Sequence, residues 1–77
     1  MRLTPAQKRA LEILKKDQKL TFTYSSKQGW TTVDGIRYRT MKILEQLGLV
    51  KCVFRNEDKD VHRGRTIYYL EKTYEVA

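Results

Sequence analysis

Cysteine, histidine and proline each occur once in the 77 residues, and glycine occurs four times. A single cysteine cannot close an internal disulfide, so a disulfide-stapled scaffold is excluded and a reducing, intracellular setting fits. One histidine and one cysteine, ten positions apart, accompany no Gly-x-Ser-x-Gly, Walker-type or dinucleotide-binding glycine motif. The expectation is a protein that is not an enzyme and uses no cofactor. No apolar run approaches the roughly 20 residues needed to span a bilayer, so no membrane partner is expected. The opening MRLTPAQ lacks the apolar core of a signal peptide, which points to a cytoplasmic protein. Repeats, low-complexity stretches and linkers are also missing, so residues 1–77 read as a single domain. At this length it buries only about 60–65% of its unfolded surface.

Positive charge is in good supply. Sixteen Lys and Arg face nine Asp and Glu, a formal charge of +7. The surplus is uneven: residues 1–30 carry seven basic and two acidic side chains, residues 31–48 three and two, and residues 49–77 six and five. Such a surplus draws polyanions and speeds their capture, although Lys-rich faces also serve solubility alone. Nucleic acid stands slightly ahead on charge.

The pattern predicts an α+β chain. A first helix over 4–16 starts with Thr4 as N-cap, Pro5 at the first helical position and Gln7 completing a capping box. Ala6, Ala10, Ile13 and Leu14 form its buried stripe. Leu20, Phe22 and Tyr24 alternate with Thr21 and Thr23, so residues 19–24 read as a strand that needs a partner further on. Residues 25–29 make a short turn or a single-turn helix, and Trp30 anchors this segment inward or, less favoured, meets a partner.

The stretch Thr31 to Val50 reads as a central helix over 32–47, opened by two hydroxyl residues and Asp34 and closed by Gly48 as a left-handed cap. Val33, Ile36, Thr40, Ile43, Leu44 and Leu47 recur at helical spacing as its buried side, leaving Tyr38, Met41, Lys42 and Glu45 outside. Asp34 suits a capping role better than base contact, and Met41 fits either a partner contact or the edge of the core. Residues 49–55 and 65–71 then form a hairpin, separated by the polar NEDKDVHRG with an acidic tip. The last residues, EKTYEVA, extend that strand or lie on the core through Tyr74 and Val76. Cys52 reads as a buried inert thiol, and His62 as solvated or a phosphate contact. Asp58 and Asp60 alternate but lack the further oxygen ligands and glycine of a calcium loop, so no metal is expected.

TPAQKRALEILKK, KLTFTY, a capped central helix ending in LGLV, and a closing hairpin together resemble a winged helix-turn-helix protein with a MarR-like or ArsR-like core. Small phage and archaeal-virus regulators share that plan. The resemblance implies double-stranded DNA binding by a small transcription regulator, with helix 32–47 in the major groove and the hairpin as a wing on the adjacent backbone or minor groove. Carried over by position, the DNA-binding residues are Thr31, Thr32, Arg37, Tyr38 and Lys42 on the helix, with Arg63 and Arg65 on the wing. One such module has a small footprint, so a homodimer on two half-sites is implied. A protein-interaction module on the same frame is the alternative: an assembly subunit or a phage-type inhibitor with a protein partner. It draws on the acidic wing tip and the missing second helix. RNA or single-strand binding ranks last, for want of an aromatic platform.

Overall fold

The computed structural model describes residues 2–77. Helix α1 spans Pro5–Asp17, and strands β1 and β2 span Leu20–Ser25 and Gly29–Trp30. Helix α2 covers Tyr38–Gln46, and the long strands β3 and β4 cover Val50–His62 and Arg65–Val76. The result is an α+β arrangement of two helices on a four-stranded antiparallel sheet of order β2-β1-β4-β3.

Local chemistry accounts for α1. The Thr4 hydroxyl accepts from the Gln7 backbone N–H (3.2 Å) while the Gln7 side chain accepts from the Thr4 N–H (3.0 Å), with Pro5 at the first helical position. Ala10 and Leu14 are fully buried and Ile13 half-buried; Ala6, expected in the same stripe, is exposed. Strand β1 buries Leu20 and Phe22 against the helices and pairs with β4, Leu20 opposite Tyr74 and Tyr24 opposite Leu70. On its other face Thr21 and Thr73 share a hydrogen bond of 2.8 Å. Residues 25–29 form no helix. Residues 26–28 are the turn of the β1–β2 hairpin, between the paired Ser25 and Gly29, with the Gln28 N–H donating to the Ser25 hydroxyl at 3.0 Å.

The central helix is shorter than its sequence pattern predicts. Asp34 (φ 52°) and Gly35 (φ 78°) form a two-residue turn in the left-handed region, closed by Val33 and Ile36 exchanging both backbone hydrogen bonds (3.0 and 2.8 Å). An Asp-Gly pair between apolar residues is the preferred chemistry for that turn, and here it defeats the capping reading of Thr31 and Asp34. The helix therefore begins at Tyr38 rather than 32, with Arg37 extended at the N-cap and no side chain capping it. Its inward face changes accordingly. Met41 and Leu44 are fully buried and Tyr38 is half-buried, whereas Leu47 is exposed and Thr40 and Ile43 are half-buried. Met41 is thus core, not outer surface. Gly48 (φ 76°) closes the helix, its N–H donating to the Glu45 carbonyl and that of Leu49 to the Leu44 carbonyl, both at 3.0 Å.

The hairpin is longer than 49–55 and 65–71. Residues 56–62, expected as loop, continue β3 in register with β4: Glu57 faces Leu70, Lys59 faces Tyr68 and His62 faces Arg65. A two-residue Arg63-Gly64 turn joins the strands. Thirteen residues of strand span about 43 Å, nearly the whole 48 Å long axis of the molecule. Among the described residues, nine form the core: Ala10, Leu14, Leu20, Phe22, Ile36, Met41, Leu44, Val50 and Tyr74. All sit at one end of the hairpin, and every residue from Val53 to Thr73 keeps contact with solvent.

Candidate functional site

The sequence around the start of α2 builds an aromatic seat for it. Trp30, brought in by β2, lies parallel to the Tyr38 ring with centroids 3.6 Å apart. Phe22 and Tyr74 meet the same ring at its edges, at 6.1 and 6.3 Å. The Tyr38 hydroxyl accepts a hydrogen bond from the Lys72 ammonium (3.0 Å) and a long one from the Tyr74 hydroxyl (3.5 Å). Burial would raise the Tyr38 phenol, but the bonds from Tyr74 and Lys72, with the Lys72 and Lys42 charges, hold it below its ordinary 10. Tyr74 moves the other way: burial, and its bond to a neighbour with developing negative charge, keep its proton on. Tyr38 therefore serves first as a fixed point for the helix, and Trp30 packs inward as expected.

Beside this seat lies a shallow depression of about 350 Å³ lined by Trp30, Thr31, Thr32, Arg37, Tyr38 and Arg39. Four of the sequence-predicted site residues meet there: Thr31, Thr32, Arg37 and Tyr38. Thr31 is also tied to β1, its hydroxyl accepting from the Thr23 N–H at 3.1 Å. Around Thr31 the surface continues into a second depression floored by the β1–β2 turn, Ile67 and Tyr69. This shares Lys27 and Ile67 with a third, of about 640 Å³, which collects His62, Arg63 and Arg65 at the hairpin end. None of the residues lining these three depressions is Asp or Glu. On the other side of Arg37, a further depression is lined by Arg9, Gly35 and Thr40.

Among the described residues three of the cations are ion-paired: Lys42 with Glu45 (3.9 Å), Lys51 with Glu75 (3.5 Å), and Arg55 with Glu57. Arg9, Lys27, Arg37, Arg39, Arg63 and Arg65 have no acidic partner, and all six line the connected depressions. Lys42, the seventh predicted residue, lies outside them with its charge engaged. Two acids of the hairpin, Asp58 and Glu71, line a depression that adjoins the second one, sharing Thr23, Tyr24 and Tyr69 with it.

Arg9, Lys27 and Arg39 escaped the sequence reading as site residues. Arg9 belongs to a helix that reads as scaffold, and only the Asp34-Gly35 turn brings it beside Arg37; a Cβ on Gly35 would lie 3.8 Å from its guanidinium. Lys27 lies in a turn whose position depends on β4. Cys52 is half-buried, its thiol donating to the Phe54 carbonyl. Among the described residues no group of three or more His, Cys, Asp or Glu could hold a metal ion, and no helix is long and apolar enough to cross a membrane. No family model, curated protein or solved structure matches this chain.

Proposed function

We propose that this chain is a cytoplasmic, non-enzymatic binder of double-stranded DNA, built as a winged helix with its second helix reduced to the β1–β2 turn. In this reading α2 is the recognition helix and the β3–β4 hairpin is the wing. The observation that carries it is the run of six unpaired cations from Arg9 and the start of α2 to the end of the hairpin, along four depressions whose own lining holds no acid. Arg37 and Arg39 flank the uncapped N-terminus of α2, where guanidinium groups can pair with guanine edges. Thr31 and Thr32 supply hydroxyls for phosphates, and Arg63 and Arg65 follow the backbone. Tyr38 acts from below, by holding the helix. Lys42 has the smallest part, because Glu45 already neutralises it. Useful specificity then calls for a homodimer on two half-sites, since one module covers roughly 600–1,000 Å².

The test is a titration of labelled duplex DNA by anisotropy, with Arg37→Ala compared against Lys8→Ala. Arg37→Ala should cost about 1–3 kcal/mol on a preferred site, and Lys8→Ala little. Equal, small losses would remove α2 as the reader. A second reading rests on the hairpin, where Val61 (65%), Tyr68 (58%) and Phe54 (50%) are unusually open for apolar side chains. A protein partner on that arm would bind with little response to salt, whereas phosphate contacts weaken steeply with it.

A further inference from the structure

We propose that the β1–β2 turn, through Lys27, is a separate contact to the phosphate backbone of duplex DNA, joining the α2 end of the basic strip to the hairpin end. This rests on the DNA-binding reading above and adds a residue and a role to it. Lys27 is the one cation shared between the depression that reaches Thr31 and the depression that holds Arg63 and Arg65.

The turn is fixed from below. The Ser26 N–H donates to the Tyr68 carbonyl (2.9 Å), and the Tyr68 N–H donates back to the Ser26 hydroxyl (3.0 Å). The Gln28 N–H bonds the Ser25 hydroxyl, and Gly29 (φ 81°) swings the chain into β2. On this fixed base the Lys27 side chain is exposed and has no acidic partner. A compact ammonium on a flexible stem suits a phosphate better than a base edge, which favours planar, forked groups.

Spacing supports the role. Ser26 is hydrogen-bonded at Tyr68, and Arg65 lies three residues earlier in β4, about 10 Å nearer the hairpin end. That is about three phosphates of one strand along the duplex axis. Lys27 and Arg65 can therefore engage the same stretch of backbone without competing for one phosphate. The Ser26–Tyr68 pair also ties the turn to the hairpin, so the turn links position and charge. Four phosphate contacts, from Arg9, Lys27, Arg63 and Arg65, give a slope of log affinity against log salt of about −4.

The experiment titrates a labelled mixed-sequence duplex with the wild type, Lys27→Ala, Lys27→Glu and Lys16→Ala over a range of salt, with circular dichroism to check folding. Lys16 is an exposed α1 cation that lines none of the depressions. Lys27→Ala should make the slope shallower by about 0.9, by the same amount on every sequence. Lys27→Glu should lose more, and Lys16→Ala should keep the wild-type slope. An unchanged slope for Lys27→Ala, or an equal change for Lys16→Ala, would overturn this inference and leave the DNA reading standing. A wild type that binds no duplex at low salt would overturn both.

Discussion

The body and the hairpin arm of this molecule are made of the same sheet and held by different means. In the body, Phe22, Tyr74, Met41 and Leu44 are fully buried between sheet and helices. In the arm, from Val53 to Thr73, no residue is fully buried. Strand pairing maintains most of it, and bonds from Tyr68, Lys72 and Thr73 to Ser26, Tyr38 and Thr21 tie its base to the body. The two also divide the charge. The arm carries Glu57, Asp58, Asp60 and Glu71, with Arg55 held by Glu57, so its net field is small along its length and turns basic at its end. As β3 is an edge strand, those alternating charges also discourage pairing with another chain. The body supplies stability and the arm supplies reach, as the proposed role of the hairpin requires.

Mutation should separate the two regions. The largest effect belongs to the body: Phe22→Ala should cost about 3–5 kcal/mol in urea unfolding, whereas Tyr68→Ala on the arm should cost about 0.5 kcal/mol. Similar losses would mean that the arm is part of one packed unit. Alkaline pH comes next. Tyr74 keeps its proton in the folded state above the ordinary value of 10, while the unfolded chain releases it. Stability from this group is complete below pH 10 and declines as pH rises further. The lowered Tyr38 value works in the opposite sense and offsets part of the decline. Melting temperatures from about pH 8 to about pH 11 should therefore fall less steeply for Tyr74→Phe than for the wild type.

Gly35→Ala should lose about 1–2 kcal/mol, because φ of 78° strains any side chain although a Cβ there has room. Its melting curve distinguishes a true turn from a frayed helix end, since an alanine in a helix would stabilise. The smallest effect is at the arm's end. Arg63 occupies the left-handed region (φ 51°) ahead of Gly64, a place that favours Asn. Arg63→Asn should raise stability by about 0.5 kcal/mol and weaken duplex binding. A gain in both would show that Arg63 has no part in the interface.

Several features are legible in the residues themselves. Thr4, Pro5 and Gln7 place the start of α1, Gly48 places the end of α2, and the alternation of Leu20, Phe22 and Tyr24 marks β1 and its buried face. These depend on neighbours within four or five positions. The Asp34-Gly35 turn was equally local, yet the hydroxyls at 31 and 32 and the helical spacing from Val33 concealed it, since two local rules competed for one stretch. Four of the seven predicted site residues do converge on one depression, and Arg63 and Arg65 on another, because strand pairing keeps sequence neighbours together.

Tertiary structure decided the rest. Whether Tyr38 and Met41 faced water or core depended on where α2 met the sheet, and Trp30 and Lys72, 8 residues before and 34 residues after Tyr38, fixed that. Residues 56–62 are polar enough to be loop, and are strand only because residues 65–71 lie opposite them. Arg9, Lys27 and Arg65 join one basic strip only once the sheet is assembled. Sequence alone determined where the chain could start and stop its local elements, because capping and alternation act over one turn or a few residues. Only the folded chain decided which faces they show, because burial depends on partners that are distant in sequence.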